Sequence, residues 1–322
     1  MEYEDYDVLS YFINVGAGDS AVHILRQRDP PGVEAAVLID GGRSTSVGSV
    51  EGAIASIRAE FNSKFPFTSI VVTHWDADHY AGLMKLLYNQ WKTPKLPPYI
   101  NSKITTFYCP WKDVKALGSI NDNMKVGLDE KKACYWLFFR LSSTSEWRPV
   151  CRAVVSTYAM GHDLFTSLKP SENTLTKPSM WPSSLSQVYS NAPNLVAFKK
   201  PIFLVYGVDG LSFKDSIDQW SAPSAPTKLS KNDSSIMALV IWPEPVATEP
   251  MRVSLYTGGD VEQDPMEDEL VKWLVDGPRK LKLDVVKASH HGSHYSTSEK
   301  LLMQKLQYLV ISAGNQFGHP SK

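Results

Sequence analysis

The chain has 322 residues, of which 43% are hydrophobic, with 33 Lys+Arg against 34 Asp+Glu and a formal net charge of −1. That length and apolar content suit one large or two ordinary globular domains. The even charge lacks the basic excess of a protein that grips long nucleic acid by neutralising phosphates. Three cysteines, Cys109, Cys134 and Cys151, form neither a disulfide framework nor a CxxC metal knuckle, so core thiols in a reducing compartment are expected. The acidic start from Met1 to Asp7 has no charged-then-apolar leader, and no apolar run is long enough to cross a bilayer. A soluble cytoplasmic protein is therefore predicted, with no membrane partner.

In chain order, Val8 to Asn14 alternates and then runs apolar, Gly16 to Asp19 supplies turn chemistry, and Ala21 to Leu25 reads as the returning strand of a hairpin. A further strand, Ala35 to Ile39, ends at Asp40-Gly41-Gly42, where paired glycines let the backbone turn sharply and pass close to a neighbour, with the following metal loop as the candidate. Val50 to Phe61 has helical periodicity. Ile70 to Val72 is an apolar run such as a buried strand shows, and the segment from Tyr80 to about Trp91 reads as a helix with Leu83, Leu86 and Leu87 on one face. Between them lies Thr73-His74-Trp75-Asp76-Ala77-Asp78-His79, four potential metal ligands within six residues. Two imidazoles and two carboxylates so close together are favourable around a divalent cation and poorly compensated without one. Their place at the carboxyl end of a buried strand is where open α/β sheets hold ligands.

The middle of the chain, about 92–230, reads as an insertion-bearing section that shapes the substrate site. It comprises a proline-punctuated loop from Lys92 to Pro98, a strand from Thr105 to Cys109, a helix over Lys125 to Leu141 carrying Tyr135, Trp136, Phe138 and Phe139, and a surface excursion from Ser167 to Pro193. The aromatic cluster is expected in the core, and His162 is expected to be solvated in a turn. Strands are predicted at Ile202 to Val205, Ser235 to Trp242, Val253 to Thr257, Leu283 to Ala288 and Tyr308 to Ser312, and helices at Met266 to Val275 and Ser298 to Leu306. Several of these strands end in loops bearing His or Asp: Gly258-Gly259-Asp260, Ser289-His290-His291-Gly292-Ser293-His294 and Gly318-His319-Pro320.

These signatures, taken with Phe12-Ile13-Asn14-Val15-Gly16-Ala17-Gly18-Asp19-Ser20, Leu38-Ile39-Asp40-Gly41-Gly42 and Asn232-Asp233-Ser234-Ser235, resemble in order the metallo-β-lactamase superfamily. The resemblance is nearest to the ComEC-type branch, the hydrolase domain attached to the bacterial DNA-uptake channel of natural competence. It implies a four-layer αβ/βα sandwich formed as a single domain over 1–322, and one or two divalent ions. His74 and Asp76 would hold the first ion, Asp78 and His79 the second, Asp260 would bridge, and one of His290 and His291 would complete the second. The third histidine usual at the first ion has no counterpart, so Asp233, Asn232 or water is left to complete that site. Aspartate at position 76 shifts preference toward manganese, iron or magnesium relative to zinc, although zinc also binds such sites.

The chemistry implied is hydrolysis by a metal-bound hydroxide, on a phosphodiester of short nucleic acid or of a small molecule. The alternatives are hydrolysis of a carboxylic ester, lactone, thioester or amide, and a non-catalytic binding or regulatory module. Lys or Arg beside the ligands would favour phosphate; apolar walls would favour acyl substrates. The histidine of the 290–291 pair that is not a ligand would protonate the leaving group or hold the oxyanion, with His294 and His319 as second candidates. Asp40 is expected either to orient a ligand histidine or to form the turn before its glycines. Asp19 is expected to be structural and His23 to be packed or at a strand edge. Relatives usually continue beyond Gly318-His319-Pro320-Ser321 into a closing helix, so a partner chain or a homodimer contact is predicted where the sequence ends.

Overall fold

A computed structural model describes residues 5–94, 98–110, 122–169, 173–175, 200–212, 230–242, 252–262, 266–272, 282–314 and 320. The first half of the chain builds an eight-stranded sheet from β1 (Tyr6–Phe12), β2 (Ala21–Gln27), β3 (Gly32–Ile39), β4 (Ser69–Val71), β5 (Thr106–Cys109), β6 (Met124–Asp129), β7 (Cys134–Phe139) and β8 (Arg148–Val155), in the order β1-β2-β3-β4-β5-β8-β7-β6. The second half builds a six-stranded sheet from β9 (Ile202–Val208), β10 (Leu211–Ser212), β11 (Met237–Trp242), β12 (Arg252–Thr257), β13 (Lys282–Lys287) and β14 (Tyr308–Val310), in the order β10-β9-β11-β12-β13-β14. Helices α1 (Val47–Glu60) and α2 (Ala77–Lys92) belong to the first half, α3 (Met266–Val271) and α4 (Glu299–Leu302) to the second.

Strand periodicity explains the layering. In β3, Ala36 and Leu38 pack with Val50, Ile54 and Leu83 of the helices, whereas Ala35, Val37 and Ile39 face the other way and meet Phe203, Val205, Ala238 and Val240 of the second sheet. In β11 the roles reverse, with Ala238 and Val240 inward, and Leu239 and Ile241 packed outward with Leu270, Val271 and Leu301. Three apolar cores thus separate helix, sheet, sheet and helix, the four-layer αβ/βα sandwich that the resemblance implies. The central strands β3, β4, β5 and β8 are mutually parallel, as are β12, β13 and β14. Their carboxyl ends deliver Asp40, the 73–79 segment, Asp260 and the 290–291 pair to one edge.

Two expectations fail. The helix expected over Lys125 to Leu141 is a hairpin of β6 and β7, paired in register from Met124↔Phe139 to Asp129↔Cys134. Cys134, Leu137 and Phe139 are buried there with the intervening aromatics half-buried. A dense aromatic run suits a strand that packs on both faces; the charged Glu130-Lys131-Lys132, which mimicked a helix surface, forms the turn. His162, expected in solvent, is 4% exposed with Nδ1 at 3.3 Å from the Tyr108 hydroxyl. The turn that carries it is tied to β9, Gly161 N–H donating to Val205 O and Val205 N–H to His162 O, both at 2.9 Å.

Smaller differences concern extent. The helix expected from Ser298 to Leu306 is the single turn of α4, and β8 had no counterpart in the sequence reading. Most of the Ser167 to Pro193 excursion, and the end of the helix expected to reach Val275, lie outside the described residues. Within 92–230, β5 to β8 extend the first sheet and β9 and β10 open the second. Along the edge strand β14 and nearby, Met303, Tyr308, Leu309 and Ile311 are exposed. No helix among the described residues is long and apolar enough to cross a membrane.

His23 lies between the sheets, fully buried, its ring edge-on to Phe12 and Phe203 and its Nδ1 at 2.9 Å from Ser10 Oγ. Burial pulls its pKa from 6.5 down to about 3. A depressed histidine leaves stability intact above the unfolded value and removes it as pH falls below 6.5 toward the folded value. At pH 5 the cost is about 2 kcal/mol. The loss of stability between pH 7.5 and pH 5, measured by urea unfolding, should be smaller by that amount in His23→Gln; equal losses in the two proteins would contradict this account.

Candidate metal centre

The site is assembled by short backbone contacts between loops. Asp40 sits at φ +53 directly after β3, where its carboxylate turns onto the next loop. Its Oδ1 accepts from Thr73 N–H at 2.8 Å, and its Oδ2 accepts from Thr73 Oγ1 at 2.5 Å and lies 2.8 Å from His79 Nδ1. Gly41 N–H donates to His79 O and Gly82 N–H to Gly42 O, both at 2.8 Å. A Cβ on Gly82 would fall 2.0 Å from Gly41 O, so the close approach predicted at the paired glycines is made by α2. Asp76 precedes α2 in extended conformation, and Asp78 lies in its first turn, where the partial positive charge of the helix start favours carboxylates.

The other half comes from the second sheet. Gly259, at φ +59, brings Asp260 in beside Ser235, whose Oγ accepts from Asp260 N–H at 3.1 Å. His290 N–H donates to Gly259 O at 3.0 Å, which locks the β13 loop against the β12 loop. His290 and His291 are both left-handed, at φ 47 and 55. For two successive non-glycine residues this is unfavourable by of order 1–3 kcal/mol each, as is common where function fixes the backbone. The paired rings diverge, with centroids 6.0 Å apart and planes at 70°.

Around the buried Asp260 the ligands fall into two overlapping groups. His79 Nε2 is 3.2 Å from Asp260 Oδ1, and His291 Nε2 is 3.6 Å from Asp260 Oδ2 and 3.7 Å from Asp78 Oδ2. On the other flank His74 Nε2 is 3.7 Å from Asp260 Oδ2 and 3.8 Å from Asp76 Oδ2. Donors about 2.0–2.2 Å from one ion stand about 3.3–3.6 Å from each other in a tetrahedral shell, and these spacings fall within about 0.2 Å of that range. The buried His74 Nε2 has no hydrogen-bond partner among the described residues, and the buried His79 Nε2 and Asp260 Oδ1 face only each other, at 3.2 Å. Each such atom costs about 1–3 kcal/mol when left alone, and their convergence on one point fits a cation.

All seven expected ligands are therefore brought together: His74, Asp76, Asp78, His79, Asp260, His290 and His291. The two histidines of the pair face different ways. His291 faces Asp78 and Asp260, with Nδ1 fixed on Ser312 O at 2.8 Å, while His290 stands at the rim, 25% exposed, Nε2 3.9 Å from Asp260 and Nδ1 3.8 Å from Glu262. His294 is exposed against Tyr295, and His319 lies outside the described residues. Asp233 Oδ2 accepts from Ser230 Oγ–H at 2.7 Å, and Asn232 Nδ2 donates to Glu262 at 2.7 Å.

Electrostatics prepare the donors. Burial, followed by the neighbouring His79, lowers the His74 pKa to about 4, so its lone pair is available at neutral pH. The neighbouring His291 imidazole, against the opposing effect of burial, holds the Asp78 pKa at about 2. Burial opposes charge on His79, but Asp260 and Asp40 outweigh it and raise its pKa well above 6.5.

Four residues beside the ligands were given no part in the site by the sequence: Lys287, Asp19, Lys231 and Arg43. Lys287, the last residue of β13, is buried and ion-paired with Asp19, its Nζ 3.5 Å from Gly259 O. Burial opposes its charge, yet Asp19 and Asp260 keep its pKa raised. Asp19 joins His79, Asp260 and His291 in a set whose ligand atoms lie within 4.8 Å of one another. Its approach to His79 is on the Nδ1 side, at 3.9 Å, where Asp40 is already bound, so Asp78 is the better fourth donor and Asp19 stands behind the ring with Lys287. A charged residue ending an apolar strand was the available clue to Lys287. Lys231 and Arg43, which approach Asp76 at 3.3 Å and Asp78 at 4.0 Å, had none.

Residues 17–108 match the family described as "Metallo-beta-lactamase superfamily". This segment holds the His74 to His79 motif. At the level of a particular relative, a stretch of 115 residues is 36% identical to ComE operon protein 3 of Bacillus subtilis (strain 168), covering 35% of this chain and 13% of that protein. Among solved structures, the metallo-β-lactamase MIM-1 from Novosphingobium pentaromativorans aligns at 12% identity and TM-score 0.31, over 84% of this chain and 75% of that one. A long form RNase Z from yeast aligns at 10% identity and TM-score 0.39, over 94% and 40%.

Asp40 touches the centre only through His79 and Thr73, so Asp40→Ala should leave the ligand set complete but unoriented. Loss of such an outer partner typically weakens metal binding 10–100-fold. Metal retained after dialysis, measured by plasma mass spectrometry, should fall accordingly; unchanged retention would show that His79 needs no such support.

Proposed function

We propose that the chain is a metal-dependent hydrolase of phosphodiesters, acting on short nucleic acid or a small diester. Asp78, His79, Asp260 and His291 would hold one divalent ion, and His74 and Asp76 with Asp260 a second, zinc or manganese being favoured over iron or magnesium. A bound ion supplies water activated at neutral pH and polarises the oxygen of the electrophile. The observation that carries the phosphodiester reading is a pair of partly exposed cations, Lys231 beside Asp76 and Arg43 beside Asp78, one on each flank of the ligands. Once metal neutralises those carboxylates, both cations are available to anionic oxygens of a bound substrate. His290, between Asp260 and Glu262 at the rim, is positioned to hold a proton for the leaving group. The even net charge favours a short or single strand over a long duplex. A homodimer across β14 is part of the proposal, supported by the exposed Tyr308, Leu309 and Ile311.

Manganese-dependent turnover of bis(p-nitrophenyl) phosphate is expected, with p-nitrophenyl acetate cleaved poorly. Asp78→Ala should lower the diester rate by at least ~100-fold, since it removes a ligand and not merely an outer partner. Arg43→Ala should raise KM for the diester and leave that for the acetate unchanged. Acetate cleavage alone would favour the acyl-hydrolase alternative, and bound metal with no turnover of either substrate would favour a binding module.

A further inference from the structure

The two flanks of Asp260 differ in what they offer an ion. On one side Asp78, His79 and His291 join Asp260, four donors in all. On the other, His74 and Asp76 join Asp260, and on the neighbouring loop Asp233 Oδ2 accepts from Ser230 and Asn232 Nδ2 donates to Glu262. The same loop instead sends Lys231, whose Nζ is 3.3 Å from Asp76 Oδ1. A lysine ammonium has three donors and no acceptor. It cannot ligate metal; it can only hold the carboxylate that the metal needs.

The loop is fixed on the site from both sides. Ile236 N–H donates to Thr73 O at 2.9 Å, beside the ligand loop, and Ser235 Oγ accepts from Asp260 N–H at 3.1 Å. Within it, Ser234 N–H donates to Lys231 O at 3.1 Å and Ser234 Oγ–H does so at 2.5 Å. The backbone of Lys231 is therefore anchored next to the metal ligands, while its side chain is 52% exposed and can leave.

We infer that the two metal positions bind unequally and that Lys231 sets the difference, by competing with the ion for Asp76. This rests on the metal-dependent reading given above. The position at Asp78, His79, Asp260 and His291 fills first; the position at His74 and Asp76 fills only when metal displaces the ammonium. Repulsion between an ammonium and a divalent ion a few ångströms apart at a half-exposed site weakens binding on the order of tenfold or more.

Titration of metal-free protein with Mn2+ by calorimetry, checked by mass spectrometry of bound manganese, tests this. Wild type should show one tight equivalent and a second at least about tenfold weaker. Lys231→Met should tighten the second equivalent by that factor and leave the first unchanged, Lys231→Arg should behave as wild type, and Asp76→Asn should abolish only the weak equivalent. Two equally tight equivalents in wild type, or superimposable isotherms for wild type and Lys231→Met, would overturn the inference and leave the hydrolase reading standing. Wild type that binds no manganese, zinc or iron would overturn both.

Discussion

A buried carboxylate that cannot reach water is the constraint on which this structure turns. Asp260 is 3% exposed and is met by three imidazole nitrogens from two loops. An anion in that position is costly unless positive charge surrounds it. Metal supplies that charge most effectively, and the adjacent His79 and His74 imidazoles hold the Asp260 pKa well below the usual carboxylate value in spite of its burial.

The fold solves the geometric side of the problem through parallel strands. Because β3 and β4 run together in one sheet and β12 and β13 in the other, their carboxyl ends open onto one edge and four loops converge there. The loops then hold one another by main-chain contacts, His290 to Gly259, Ile236 to Thr73 and Gly41 to His79. Backbone geometry, including the left-handed pair at 290–291, aims the side chains. Rigid strand ends carrying short strained loops give the positional precision that a metal centre needs.

Charge beyond the ligands is layered. Lys287 and Asp19 form a buried pair behind His79, Asp40 orients the same ring, and Lys231 and Arg43 stand outside on the solvent side. The inner pair is permanently in place because burial leaves it nowhere to go. The outer cations are exposed enough to exchange partners, and this difference in exposure separates residues that define the site from those that respond to what enters it.

The sequence by itself determined the centre of this protein. The 73–79 segment carries its ligand types within one loop, the apolar runs before Asp40, His74, Asp260 and His290 mark strands by local pattern, and the ordered signatures carry a resemblance to a superfamily without any knowledge of contacts. Tertiary structure alone decided the rest. Whether the aromatic run at 134–139 is a helix or a strand depends on what covers its two faces, and whether His162 meets water depends on its pairing with β9. Which way His290 and His291 point is set by two left-handed residues, and the importance of Lys287 and Lys231 arises from partners more than 150 positions away in the chain. Local pattern records what a residue can do; long-range packing, through burial and distance, determines which of those things it does.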